Sequence, residues 1–199
     1  MTKPKPDASR CGDGGPCRWR LAGGRIVRAG GKGVPGLPPA ALIAGAAGRL
    51  ALVQPAATAS ASGREQFDWP RAALDGRVEI RDTASGRLVT SFRPHGVVRA
   101  IALSAIRAVV LVQLERTLRI EWYDSDSGEM LGSVIEPEAF RLATDGRLVA
   151  FSAGGTVRVL DLETGAQRVV GRGADVTGVS VRAHLVVWGA GNRIFTVRA

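Results

Sequence analysis

Histidines, cysteines and clustered carboxylates supply most protein chemistry, and this 199-residue chain uses them sparingly. His95 and His184 are the only histidines, and Cys11 and Cys17 the only cysteines. Two thiols spaced C-x5-C cannot complete a four-ligand zinc site without a histidine nearby, and none lies nearby. They are read either as a disulfide, if the compartment is oxidising, or as two unrelated thiols. Asp124, Asp126 and Glu129 resemble part of a calcium loop but lack its glycine and distal glutamate, so they read as a solvated turn. Ala29–Gly33 (AGGKG) has no following helix whose dipole would favour phosphate, and reads as a hairpin turn. No Gly-x-Ser-x-Gly elbow, P-loop or His-Glu-x-x-His is present. No metal, cofactor or catalytic residue is expected.

Recognition chemistry is better represented. Gln54–Asp75 is rich in Pro, Ala and Ser and ends in Phe67-Asp68-Trp69-Pro70-Arg71. Aromatic residues beside charges on a long loop are typical of binding surfaces. The same two aromatics would equally serve to pin the loop to its scaffold, since large apolar side chains need burial. Arg93, His95, Glu136, Glu138 and Arg172 lie in other loops that should share this face.

The scaffold follows from a repeat. Asp82–Gly86 (DTASG), Asp124–Gly128 (DSDSG) and Asp161–Gly165 (DLETG) mark turns 42 and 37 residues apart. Around each lie four short apolar runs, here labelled A to D, with the turn between C and D. The C runs are Val78–Arg81, Leu118–Glu121, Val157–Leu160 and Ile194–Val197. They alternate apolar and charged residues, which predicts one packed and one wet face. The B runs Ala108–Gln113, Leu148–Phe151 and Leu185–Trp188 are nearly continuous apolar stretches, as for strands covered on both faces. The A runs are Val97–Leu103, Ala139–Ala143 and Val176–Val181, and the D runs Leu88–Phe92, Met130–Val134 and Gln167–Val170. Pro38–Ala44 and Gly48–Val53 extend the pattern upstream. In each C–D turn the Asp can accept backbone N–H bonds and the Gly can take positive φ. Asp145-Gly146 reads as a two-residue hairpin turn.

Four-stranded antiparallel units of about 40 residues predict β-propeller blades. The Asp-x-x-[Ser/Thr]-Gly turns resemble those of bacterial WD40-like and PQQ-like propeller repeat proteins, over roughly residues 24–199. That resemblance implies a binding or scaffolding role, many of its members being exported or periplasmic. The Trp that follows the turn glycine in PQQ-dependent enzymes is absent, as Leu88–Val89, Met130–Leu131 and Ala166–Gln167 show. The Gly-His and Trp-Asp dipeptides of eukaryotic WD40 blades are missing too, Tyr123-Asp124 coming nearest the second.

The expected fold class is all-β, with three full and two partial blades and a flexible basic segment over 1–23. Such a chain could close as a ring of four or five blades, be the C-terminal part of a longer parent, or complete itself through open blade edges on another chain. The irregular start favours the second. Residues 1–40 carry eight Lys and Arg against Asp7 and Asp13, and the remainder nineteen against sixteen. Such a tail reads as a solvated terminus, and nucleic acid is not the expected partner. No apolar run approaches the ~18 residues of a membrane helix, and no secretory signal is visible. As written the chain reads as cytoplasmic, and as periplasmic or extracellular if truncated. The expected function is non-catalytic recognition of a protein, peptide or glycan, with a hydrolase or lyase on a propeller as the alternative. In that layout His95 lies in a D–A loop and His184 at an A–B turn, on opposite faces, which argues against a joint site.

Overall fold

The computed structural model describes residues 19–22, 25–28, 37, 38, 40–54 and 76–199. All its regular elements are strands. β1 (Trp19–Ala22) and β2 (Arg25–Arg28) form a two-stranded sheet. Three four-stranded sheets follow in meander order. Blade 1 holds β3 (Leu42–Ala46), β4 (Arg49–Val53), β5 (Val78–Asp82) and β6 (Leu88–Phe92). Blade 2 holds β7 (Val97–Leu103), β8 (Arg107–Leu114), β9 (Thr117–Asp124) and β10 (Met130–Ile135). Blade 3 holds β11 (Ala139–Thr144), β12 (Leu148–Ala153), β13 (Thr156–Asp161) and β14 (Gln167–Arg172). Blade 4 has three strands, β15 (Val176–Arg182), β16 (Leu185–Ala190) and β17 (Arg193–Arg198).

Every pairing is antiparallel, and the first strands of successive sheets, β3, β7, β11 and β15, touch one another in turn. Blades that pack face to face with their first strands innermost make a β-propeller. The sequence repeat thus reports the fold directly.

Alternation along each strand sends side chains into two cores at once. In β8, Val110 and Val112 join Ala51, Val53, Val78 and Val98 between blades 1 and 2. Val109 and Leu111 of the same strand join Ile120, Val149 and Phe151 between blades 2 and 3. Ala150 and Val157 meet Val181, Val186 and Trp188 between blades 3 and 4. Each fully buried Val, Leu or Phe contributes about 1.5–3 kcal/mol, so a core sparse in aromatics suffices. Gly171 shows how tight the packing is, because a Cβ there would overlap the Trp188 ring.

Among the described residues, no strand covers the outward face of blade 4. Ile194 is 74% exposed, whereas the residues at the same register, Val78, Ile120 and Val157, are fully buried. Each of those three is covered by the following blade.

Three expectations change. The C strands do not keep a wet charged face, since Glu79 and Glu121 are buried. β9 runs on through Trp122 and Tyr123 to Asp124, so equivalent positions are counted back from the turn aspartate. At the blade 3 A–B turn, Asp145 N donates to Leu148 O, which centres the turn on Gly146-Arg147 and not on Asp145-Gly146. Gly146 carries the positive φ of +106° and Asp145 Oδ1 accepts from the Arg147 and Leu148 amides.

Candidate functional site

Antiparallel meanders divide the connections between two faces. The A–B and C–D turns form one, hereafter the turn face. The B–C and D–A loops form the other, the loop face.

On the turn face the turn aspartates are spent within the fold, while Arg87, Glu129, Arg168 and His184 stay exposed without a side-chain partner among the described residues. Asp82 Oδ1 accepts from the amides of Ala84 and Ser85 and from the Ser85 hydroxyl. Asp124 Oδ1 repeats this with Asp126 and Ser127, and Asp161 Oδ1 with the amides of Glu163 and Thr164. Gly86, Gly128 and Gly165 close the turns at φ of +71°, +76° and +70°. These bonds hold the carboxyls below the usual aspartate range, led by the Ser85 hydroxyl at Asp82 and the Ser127 amide at Asp124. At Asp161 burial opposes ionisation, but the Glu163 amide and Arg147 outweigh it. Arg147 chelates Asp161 Oδ2 through Nε and Nη2 at 3.1 and 3.0 Å. Arg49 reaches across blades to Ser125 and Asp126. His184 lies on this face, at the β15–β16 turn, opposite His95.

The loop face begins with a buried anchor. Three residues before each turn aspartate stand Glu79, Glu121 and Arg158, each paired to a group from the loop face. Gln54 Nε2 donates to Glu79 Oε1 at 2.7 Å, and Arg158 Nη1 to Glu136 Oε2 at 3.3 Å. Glu121, with no exposed surface, accepts from the Tyr123 hydroxyl at 2.6 Å and the His95 amide at 3.3 Å. His95 Nδ1 lies 3.2 Å from Glu121 Oε1, and Arg119 Nη1 3.8 Å away. Burial, then the Glu121 carboxylate, pushes the Tyr123 phenol up, so it stays a donor. Phe92 stacks on Tyr123 at 4.0 Å. The His95 imidazole remains 58% exposed. One edge is held while the rest faces solvent.

Of the sequence-derived site, Arg93 and Arg172 are exposed loop-face residues at the ends of β6 and β14. Phe67, Asp68, Trp69 and Arg71, with Cys11 and Cys17, lie outside the described residues. Glu136 is buried and held by Arg158 and Gln167, which leaves it no free oxygen for a ligand. Among the described residues no three His, Cys, Asp or Glu side chains stand together as a metal site. Among the described residues no helix is long and apolar enough to cross a membrane.

A cleft opens between blades 3 and 4 on this face. It is lined by Glu138, Phe140, Ser152, the Gly154-Gly155 turn, Gly173 and Asp175. Gly154 and Gly155 have φ of +53° and +73°, and a Cβ on Gly154 would collide with the Glu138 carboxylate. Asp175 adopts φ +57°, a conformation open to Asp and Asn. The sequence held one signal for this cleft, a lone serine within the apolar β12 run LVAFSA. Glu121 could have been found by counting back from the turn aspartate.

These features define a β-propeller whose turn aspartates cap their own backbone and whose loop face carries exposed charge around a cleft. No family model and no curated protein matches the sequence. Solved structures match the fold. HIRA(644-1017) aligns with TM-score 0.52 at 13% identity over 76% of this chain and 49% of that one. Hsv2 of Kluyvelomyces marxianus aligns with TM-score 0.50 at 12% identity over 76% and 43%. BamB from Moraxella catarrhalis aligns at 16% identity over 64% and 44%, with a TM-score of 0.44 that adds nothing to the argument. The chain spans less than half the length of these structures.

Proposed function

We propose that the protein is a non-catalytic binding module that recognises a protein or peptide through its loop face. The observation that carries this is a group of exposed, unpaired charges on the loop face, drawn from three D–A connections and one B–C turn. Arg93, Glu115, Arg116, Glu138, Arg172 and Asp175 point from the loop face, and no side-chain hydrogen bond or ion pair engages them among the described residues. Rigid blades with charged, exposed loops are what a recognition surface requires. The turn motifs favour the WD40-like or PQQ-like bacterial subtype. Phe67, Asp68, Trp69 and Arg71 belong to the B–C connection of blade 1, which leaves from this same face. The bare outer face of blade 4 supports association with a further chain.

The test is partner retention by the immobilised chain from lysate of its source. Arg93→Ala with Arg172→Ala should cut retention at least ten-fold, while Arg87→Ala with Glu129→Gln on the turn face should not. The reverse pattern would overturn the assignment.

A further inference from the structure

We infer that the cleft between blades 3 and 4 receives a basic side chain, lysine or arginine, of the partner polypeptide. This rests on the binding role proposed above and names the chemistry of one contact.

Three observations converge. Glu138 and Asp175 face the cleft from the D–A loops on either side of blade 3, and neither has a cationic partner among the described residues. Ser152 is only 7% exposed and lines the same cleft, and its hydroxyl has no hydrogen-bond partner among the described residues. Its oxygen opens onto the cleft, so a polar group entering there can take the place of water on it. At the same register, blades 1 and 2 carry Val53 and Leu111, both buried in the apolar core. Serine is therefore not needed to build a blade. It appears in the one full blade whose cleft also carries two unpaired carboxylates.

The shape fits a long cationic side chain. Phe140 pairs with Ser152 across β11 and β12, so its ring borders the hydroxyl. Gly155 leaves its backbone open on the rim, since a Cβ there would meet only the Gly173 carbonyl at 3.9 Å, so a chain can approach closely at that point. An aliphatic stem would lie against Phe140 and its charged head would meet Glu138, Asp175 and the Ser152 oxygen. Arg141 sits 4.6 Å over one face of the Phe140 ring. Glu136, the other nearby carboxylate, is bound to Arg158 and Gln167.

The test uses amide chemical shifts of the full chain titrated with acetyl-Gly-Gly-Lys-Gly-Gly-amide and its Arg, norleucine and Glu counterparts, and with n-butylamine. The Lys or Arg peptide should shift Gly154, Gly155 and Asp175 saturably, with norleucine and Glu at least ten-fold weaker. Glu138→Gln with Asp175→Asn should weaken the basic peptide ten-fold or more, and Ser152→Val should weaken it while keeping the fold, since valine fills that register in blade 1. Equal response to norleucine, or indifference to the double substitution, would overturn the inference. Binding of n-butylamine as tightly as the peptide would assign the cleft to a free amine instead. Loss of partner retention through Arg93 and Arg172 with no basic-peptide binding would sink this inference and leave the proposed function standing.

Discussion

The two faces of this propeller use the same residue types to opposite ends. On the turn face, aspartates accept from backbone amides and Arg147 chelates Asp161, so that charge is spent on holding the chain. On the loop face the buried charges do the holding, Glu79, Glu121 and Glu136, and the exposed ones are left over. A repeat protein must build the same blade several times, and the turn face is where the repeated residues sit. The loop face is free to differ from blade to blade. Under the proposed binding role, specificity would lie where the repeat is not needed.

That contrast breaks first at its anchors. Glu121→Ala would leave the Tyr123 hydroxyl and the His95 amide without their acceptor in a dry site, and should cost about 3–5 kcal/mol of stability by denaturant midpoint. His95→Ala should cost far less, because most of its ring faces water. Equal costs would mean that the histidine, not the carboxylate, pins the loop.

Packing comes next. Gly171→Ala would push a methyl into the Trp188 ring, and should lower stability by about 1–3 kcal/mol in thermal or denaturant melts. Gly165→Ala meets no neighbouring atom, but its φ of +70° should still cost about 1 kcal/mol.

The turn aspartates should each matter less. Asp161→Ala should cost about 1 kcal/mol, in line with a lost backbone cap. Asp82, Asp124 and Asp161 all have folded values below the ordinary 3.8. Their stabilising contribution is therefore complete above about pH 4 and is lost as pH falls through the depressed folded values. Melts between pH 5 and pH 2 should show this decline, and a triple Asp→Asn variant should show a shallower one. An unchanged slope in that variant would assign acid sensitivity to other groups.

Smallest of all should be the loop-face substitutions. Glu138→Gln and Asp175→Asn remove groups without partners and should change stability by no more than about 0.5 kcal/mol. A loss above 1 kcal/mol would show that these carboxylates hold the fold and are not surplus to it.

The blades were legible because turn chemistry and strand periodicity are local. Asp82, Asp124 and Asp161 mark their turns unaided, and the run AVVLV in β8 could only be covered on both sides. The buried carboxylates were not legible, because Glu121 looks like the wet half of an alternating strand until His95 folds back from another blade. The cleft hid for the same reason. Phe140 meets Ser152 within blade 3, but Asp175, 35 residues beyond Phe140, joins them only when blades 3 and 4 pack. Glu136 looked as available as Glu138, and only Arg158 and Gln167 separate their roles.

Native-state hydrogen exchange on the full chain tests the division of labour most directly. The amides of Ser85, Ser127 and Thr164, each bonded to a turn aspartate, should be slowed on the order of 100-fold relative to those of Gly154 and Asp175 on the loop face. Equal rates at the two sets, or faster exchange on the turn face, would contradict the account.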